Sequence, residues 1–155
     1  MDLAALLRES ESSVLDEAFS VLERSHVTHY KAAGEAFTRQ KLAELFQLVV
    51  SEIGARDLAA ISAFSDQVAT ERFNQGFDIS EVQAAFNALE QAMWRHVVAD
   101  TPPEELAEAT GLLSTVLGFG KDTLARKYVS LASHRHVPSL DMSALFGGTE
   151  TVSGQ

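Results

Sequence analysis

Apolar residues recur at spacings of three and four through almost every long segment of this chain, and this spacing restricts its fold more than any other feature. That period lines one face of an α-helix, whereas a half-buried strand requires alternation of apolar and polar residues. Three segments show it most clearly, with apolar sets at Leu42, Leu45, Val49 and Ile53; Leu58, Ile61, Phe64 and Val68; and Val82, Phe86, Leu89 and Met93. The sequence therefore predicts an all-α protein, folded as a single bundle of about five helices.

The limits of the five helices follow from the same pattern. We predict helices over residues 2–25, 35–55 and 57–75, a fourth that starts after Asp78, and a last one over 102–133. A partly helical connector that ends at Gly34 would join the first two. At 1.5 Å per residue the last helix would be about 48 Å long. This length exceeds that of a compact bundle, so its end is expected to project or to pair with a second subunit.

Two helix starts and one helix end carry specific local signals. In "DISE", Asp78 is a predicted N-cap and Glu81 completes a capping box. In "TPPE", Thr101 is a predicted N-cap and Pro102 takes the first helical position. Gly76 follows the third helix at a position that suits left-handed backbone. We therefore expect the last two helices to begin at residues 79 and 102.

The charge balance and the absence of cysteine exclude several classes of function. The 155 residues include 12 basic and 22 acidic residues, a formal net charge of −10, and no cysteine. Such a chain would be repelled by a phosphate backbone or an anionic membrane, so we expect no nucleic-acid or membrane partner. Without cysteine there is no disulfide and no thiolate metal site. Because no segment resembles a signal peptide or a membrane span, we predict a cytoplasmic protein.

The helical pattern fades after Ser133 and divides the chain into two parts. Residues 1–133 are predicted to form one helical domain, and residues 134–155 a short, flexible and irregular tail. The tail contains one apolar cluster, formed by Leu140, Leu145 and Phe146. A short amphipathic pattern of this kind is typical of a segment that docks on a partner protein, so these three are candidate interface residues.

Arg72 and His96 extend the apolar faces of their helices and are candidate ligand or packing residues. Arg72 continues the face that contains Val68, so its guanidinium is expected to meet the core. This predicts an ion pair with a buried carboxylate from another helix, with an exposed head group or an anionic ligand as alternatives. His96 continues the face that contains Met93. An ordinary histidine near a helix C-terminus is the favoured interpretation, and an axial haem ligand is the alternative.

The fourth and last helices contain further candidate interface and packing residues. Trp94 lies among polar neighbours, which indicates a protein contact, with core packing as the alternative. Gly111 and Gly118 lie on a side of small residues, and Gly120 falls within the apolar stripe. A glycine within a helix costs up to about 1 kcal/mol relative to alanine, so these three require compensation. Close helix packing is the favoured explanation, and a ligand cavity or a dimer seam are the alternatives.

No arrangement of residues typical of catalysis or metal binding stands out. The sequence contains no motif of a nucleophile with its base, no phosphate-binding loop and no paired catalytic acids. His26 and His29, and likewise His134 and His136, lack a third ligand at metal-binding spacing. We therefore predict no enzyme, no metal and no resident cofactor.

One long segment, "ATERFNQGFDISEVQAAFNALEQAMWRHV", resembles the N-terminal domain of the RsbT co-antagonist protein RsbRD. The upstream segment "HVTHYKAAGEAFTRQKLAELFQLVV" is similar to the same family, and the resemblance covers about residues 10–133. The residues that carry it are Arg72, Gly76, Phe77, Ser80, Glu81, Val82, Ala85, Leu89 and Trp94.

This resemblance implies a helical regulatory domain of bacterial signalling or stress response, which acts through protein contacts and often as a dimer. Related regulators use a globin-like fold without haem, so a globin-like bundle is an implied arrangement. Because no output domain follows the helices, we expect a protein partner in trans. We therefore predict a non-catalytic, homodimeric regulatory domain. The alternative is a sensor that binds haem or an apolar ligand in a cavity near Gly111–Gly120, with Arg72 or His96 at its edge.

Overall fold

A computed structural model describes residues 2–136 of the chain, and every regular element within this range is helical. A 3-10 turn at Pro103–Glu105 precedes the last helix. The α-helices are α1 (Leu3–Glu9), α2 (Glu11–Arg24), α3 (Thr28–Ala33), α4 (Glu35–Ala55), α5 (Ala59–Asn74), α6 (Ile79–Asp100) and α7 (Leu106–His136). The predicted all-α bundle with a long C-terminal helix is confirmed. The predicted tail at residues 137–155, with Leu140, Leu145 and Phe146, lies outside the described residues.

The helix count rises from five to seven because the first predicted helix breaks at Ser10 and the connector forms a helix of its own. At the break, the Ser10 backbone N–H donates to the Leu7 carbonyl at 3.0 Å, and its hydroxyl donates to the Leu6 carbonyl at 3.1 Å. A serine that bonds to the preceding turn competes with continuation of the helix. The bend lets α1 pack against α4 while α2 packs against both α4 and α6.

The corner between α5 and α6 follows the predicted local signals closely. Gly76 has φ +87°, and its N–H donates to the Phe73 carbonyl, while the Phe77 N–H donates to the Arg72 carbonyl. These two bonds form a Schellman motif, which satisfies the last carbonyls of α5. Asp78 and Glu81 then form the predicted capping box at the start of α6. Both ends of the corner are therefore defined by residues next to them in sequence.

The predicted start of the last helix at Thr101 is wrong. Thr101 is instead the C-cap of α6, and Pro102 has φ −57° and ψ 143°, an extended conformation. The reason is Pro103, since a residue that precedes proline is sterically excluded from the helical region. A 3-10 turn therefore intervenes, and α7 begins at Leu106.

The long helix α7 lies against α5 and α6, and it is the main partner of α5, whereas α6 packs mainly against α2. Its buried side includes Leu113, Leu117 and Leu124. Gly120 lies on the same side, and a Cβ placed there would lie 3.1 Å from Ile61 Cγ1 and 3.3 Å from Phe86 Cε2. Close packing of helices at Gly120 is thus confirmed. Despite the length of α7, none of the described helices is both long and apolar enough to cross a bilayer.

We expect opposite effects from substituting two glycines of α7. Gly120→Val should lower the free energy of unfolding by about 1–3 kcal/mol, because the added atoms would overlap Ile61 and Phe86. Gly111→Ala should raise it by up to about 1 kcal/mol, because a Cβ there meets nothing within 4 Å and alanine favours the helix. Urea unfolding followed by circular dichroism measures both. A Gly120→Val protein as stable as the parent chain would contradict the packing described.

Candidate functional site

The most unusual side chain in the molecule is Arg72, whose guanidinium lies at the end of α5 beside the corner. Its relative exposure is only 1%, and it is the largest of the fully buried side chains. The Nη1 atom lies 3.4 Å from Glu71 Oε1 and 3.4 Å from Gln75 Oε1, and Nε has no hydrogen-bond partner. The predicted position in the core is confirmed. The predicted buried acid from another helix is wrong, because Glu71 belongs to the same helix and its side chain is 43% exposed.

Aromatic rings provide most of the surroundings of this guanidinium. Its Cζ atom lies 5.1 Å from the centroid of the Phe37 ring and 5.7 Å from that of Phe77. Tyr30 packs edge-on against Phe77, with a centroid distance of 4.8 Å. Burial raises the pKa of Tyr30, while the charge of Arg72 and its side-chain hydrogen bond with Tyr30 act in the opposite direction. The charge is thus stabilised by ring faces rather than by a strong ion pair.

The carboxylate of Glu81 joins this corner to α3. It accepts hydrogen bonds from the backbone N–H of His29 at 2.8 Å and of Asp78 at 3.0 Å. The Nδ1 atom of His29 also lies 2.6 Å from Glu81 Oε2. Burial alone would raise the pKa of Glu81, but these three groups outweigh it and lower the pKa. The capping box predicted Glu81, whereas nothing in the sequence predicted its bond with His29.

A small cavity of about 20 Å³ lies beside Arg72, toward the interior of the bundle. A larger groove of about 240 Å³ opens at the surface between α2, α3 and α4. Three side chains, Leu22, Tyr30 and Thr38, line both spaces. The sequence predicted neither space. The groove is lined by residues 19–38 alone, but it exists only once α2, α3 and α4 have packed together, and the walls of the cavity come from segments between residues 22 and 86.

His96 lies at the rim between α6 and α2, not in the core. Its Nε2 atom is 3.1 Å from Glu17 Oε2 and 3.4 Å from Ser13 Oγ, and its side chain is 20% exposed. A carboxylate thus contacts the nitrogen that an axial haem ligand would have to present. This contact favours an ordinary polar histidine over a haem ligand. Among the described residues, no group of three or more His, Cys, Asp or Glu side chains is arranged to hold a metal ion.

We call one surface of the bundle the α6–α7 face, and we define it by Trp94, Val98, Gly111 and Gly118. Trp94 is 44% exposed, so packing in the core is ruled out for it, and Val98 is 41% exposed. Lys121 donates to Asn87 Oδ1 at 3.1 Å, which sets the register of the two antiparallel helices. This register places Trp94 opposite Ser114, between Gly111 and Gly118, and Val98 opposite Thr110, next to Gly111. At neither glycine would a Cβ meet an atom within 4 Å, so close packing within the chain is the wrong explanation for both.

The family model for the "RsbT co-antagonist protein rsbRD N-terminal domain" matches residues 4–130. The chain therefore belongs to this family, which confirms the resemblance seen in the sequence. The family is one of helical regulatory domains of signalling and stress response. Neither a curated protein nor a solved structure was found to match the chain.

We expect Glu81→Ala to destabilise the fold by about 2 kcal/mol or more at neutral pH, because it removes a buried acceptor of several bonds. The pKa of Glu81 is lowered by folding, so its contribution is present above the usual glutamate pKa of 4.5 and is lost as the pH falls through the folded value. The difference in unfolding free energy between parent and variant should therefore shrink on acidification below that pH. Urea unfolding at a series of pH values measures this difference.

A matched control for this substitution is Glu108→Ala. Its carboxylate is also paired, with Arg56 at 2.8 Å, but its side chain is 65% exposed. Exposed pairs contribute about 0–1 kcal/mol, so this variant should change stability little. Equal losses in the two variants would contradict a special role for Glu81.

Proposed function

We propose that this member of the RsbRD N-terminal domain family is a non-catalytic regulatory domain that acts through protein–protein contacts and forms a homodimer through the α6–α7 face. Family membership supports the regulatory class. The homodimer through the α6–α7 face rests on the position of an exposed tryptophan beside two uncovered glycines. A contact with a protein partner in trans completes the proposal, since a regulatory domain without catalysis acts by changing what it binds.

The α6–α7 face has the composition of a helix-packing surface. Gly111 and Gly118 each cost helix stability, and no neighbouring side chain within the chain uses the space that they leave. Tryptophan is enriched among the residues that dominate binding energy, and small residues let two helix backbones approach closely. A second helix laid across this face would compensate for both features.

A second copy of this chain is the occupant that fits best. The chain has a net charge of −10, so two copies repel one another except where their contact surfaces are neutral. The α6–α7 face meets this condition, because its four residues are uncharged and the adjacent charges are paired, Lys121 with Glu90 and Asp122 with Arg126. In a two-fold dimer the same surface is used twice, so Trp94 of one copy can pack over Gly118 of the other.

The predicted alternative, a ligand cavity near Gly111–Gly120, receives no support at that place. Ile61, Ser65 and Phe86 occupy the space next to Gly120, and the other two glycines lie on the α6–α7 face.

We expect Trp94→Ser to weaken dimerisation by at least about tenfold in Kd, as for the loss of a central interface residue. The control is Phe119→Ser. This residue is 38% exposed, close to the value for Trp94, but it lies about 100° around α7 from Gly118. Sedimentation velocity across the micromolar range measures both variants.

Two outcomes would count against the proposal. A parent chain that stays monomeric across the micromolar range would overturn the homodimer. If Phe119→Ser dissociates the dimer as strongly as Trp94→Ser, the interface lies elsewhere than on the α6–α7 face.

A further inference from the structure

Arg72 is poorly satisfied for a buried cation. Charge-assisted hydrogen bonds are usually 2.7–2.9 Å long, whereas both acceptors of Arg72 Nη1 lie at 3.4 Å. The Nε–H has no acceptor at all. Burial of an ion is unfavourable unless good partners replace water, and the two ring faces compensate for this only in part. The side chain therefore retains the capacity to bind an anion.

The cavity beside Arg72 has the electrostatic character that an anion requires. Its volume of about 20 Å³ exceeds the roughly 10–15 Å³ that one water molecule needs. Two cationic side chains, Arg72 and Lys41, line it, and no carboxylate is among the described residues of its wall. The remaining wall is largely apolar, with Leu42, Phe64 and similar side chains. In a low-dielectric surrounding of this kind, the attraction between opposite charges is strong.

The surface groove between α2, α3 and α4 lies next to this cavity. Leu22, Tyr30 and Thr38 line both spaces and so lie between them. The groove is lined by apolar atoms for the most part, including those of Phe19 and Val27. An anionic head group directed to Arg72 would thus leave an apolar chain lying in the groove.

We propose that Arg72, its cavity and the adjoining groove form a binding site for a small monocarboxylate with a short apolar chain. The planar guanidinium fork matches the geometry of a carboxylate, and the groove matches the chain. The acidic Glu23 and Glu35 at the groove favour a single negative charge over a phosphate group with two. This site is separate from the α6–α7 face and goes beyond the proposed function, since binding here does not require a dimer.

The direct test is a titration of the full chain with hexanoate, observed through the ¹H–¹⁵N signal of the Arg72 Nε–H group. We expect this signal to shift saturably, with a Kd below about 1 mM, an affinity within reach of a ligand of this size. Hexanol and hexylamine, which have the same chain but no carboxylate, should leave the signal unchanged. No shift with hexanoate, or equal shifts with hexanol, would overturn the proposal.

Variants test the assignment of the site by calorimetric titration with hexanoate. Arg72→Met keeps the volume and removes the charge, so it should weaken binding by at least about tenfold. Arg126→Met is the matched control, because it makes the same change at a side chain that is 77% exposed, and it should bind as the parent does. Undiminished binding by folded Arg72→Met would overturn the proposal.

A second variant keeps the test decisive if Arg72→Met does not fold. Thr38→Ile retains Arg72 but adds bulk where the groove meets the cavity, and we expect a similar loss of hexanoate affinity. Parent-like affinity of Thr38→Ile would show that the ligand does not extend from the cavity into the groove, contrary to the proposal. A strictly monomeric chain that binds hexanoate would refute the homodimer and leave this inference standing.

Discussion

The carboxylate of Glu81 is the group on which the arrangement of this bundle depends. It caps the first turn of α6 by accepting the Asp78 N–H, and in the same place it accepts the N–H and contacts the ring of His29 in α3. The side chain of Glu81 therefore completes the capping box of α6 and also holds α3, a helix of six residues, at the corner. A helix this short is not stable by itself in water, so tertiary contacts must hold α3, and with it Tyr30, over the corner.

Arg72 can remain buried because this arrangement surrounds it. The Schellman motif bonds the Phe77 N–H to the Arg72 carbonyl, which brings the Phe77 ring within reach of the guanidinium of the same residue. Tyr128 of α7 donates its hydroxyl to the Phe77 carbonyl at 3.2 Å, so α7 also holds the corner in place. The cation is thus enclosed by rings from three parts of the chain and has few acceptors. Such an environment tolerates a charge without fully satisfying it.

Local sequence signals predicted the fold well where one set of neighbouring residues decides the backbone conformation. They failed where two such signals favour different conformations. The capping box at Asp78 and the left-handed Gly76 form as expected, because both depend on residues within four positions. Thr101 had an equally good cap pattern, but Pro103 excludes the helical conformation at Pro102. The sequence placed Gly120 in the apolar stripe of α7 and Gly111 and Gly118 on another side, but close packing was expected at all three, and of these only Gly120 is packed against other helices. Their separation into one packed and two uncovered positions depends on which side of α7 meets α5 and α6.

The sequence by itself determined the helical class, most helix boundaries, the burial of Arg72 and the family. These follow from periodicity and from short-range caps, whose physical causes act over one or two helical turns. Only the tertiary structure decided the partners: His29 for Glu81, 52 residues away, Phe37 for Arg72, and Glu17 for His96. It also decided that Trp94 is exposed and that a groove adjoins the cavity beside the buried guanidinium. Partners and cavities depend on the distances between whole helices, and no short stretch of sequence encodes those distances.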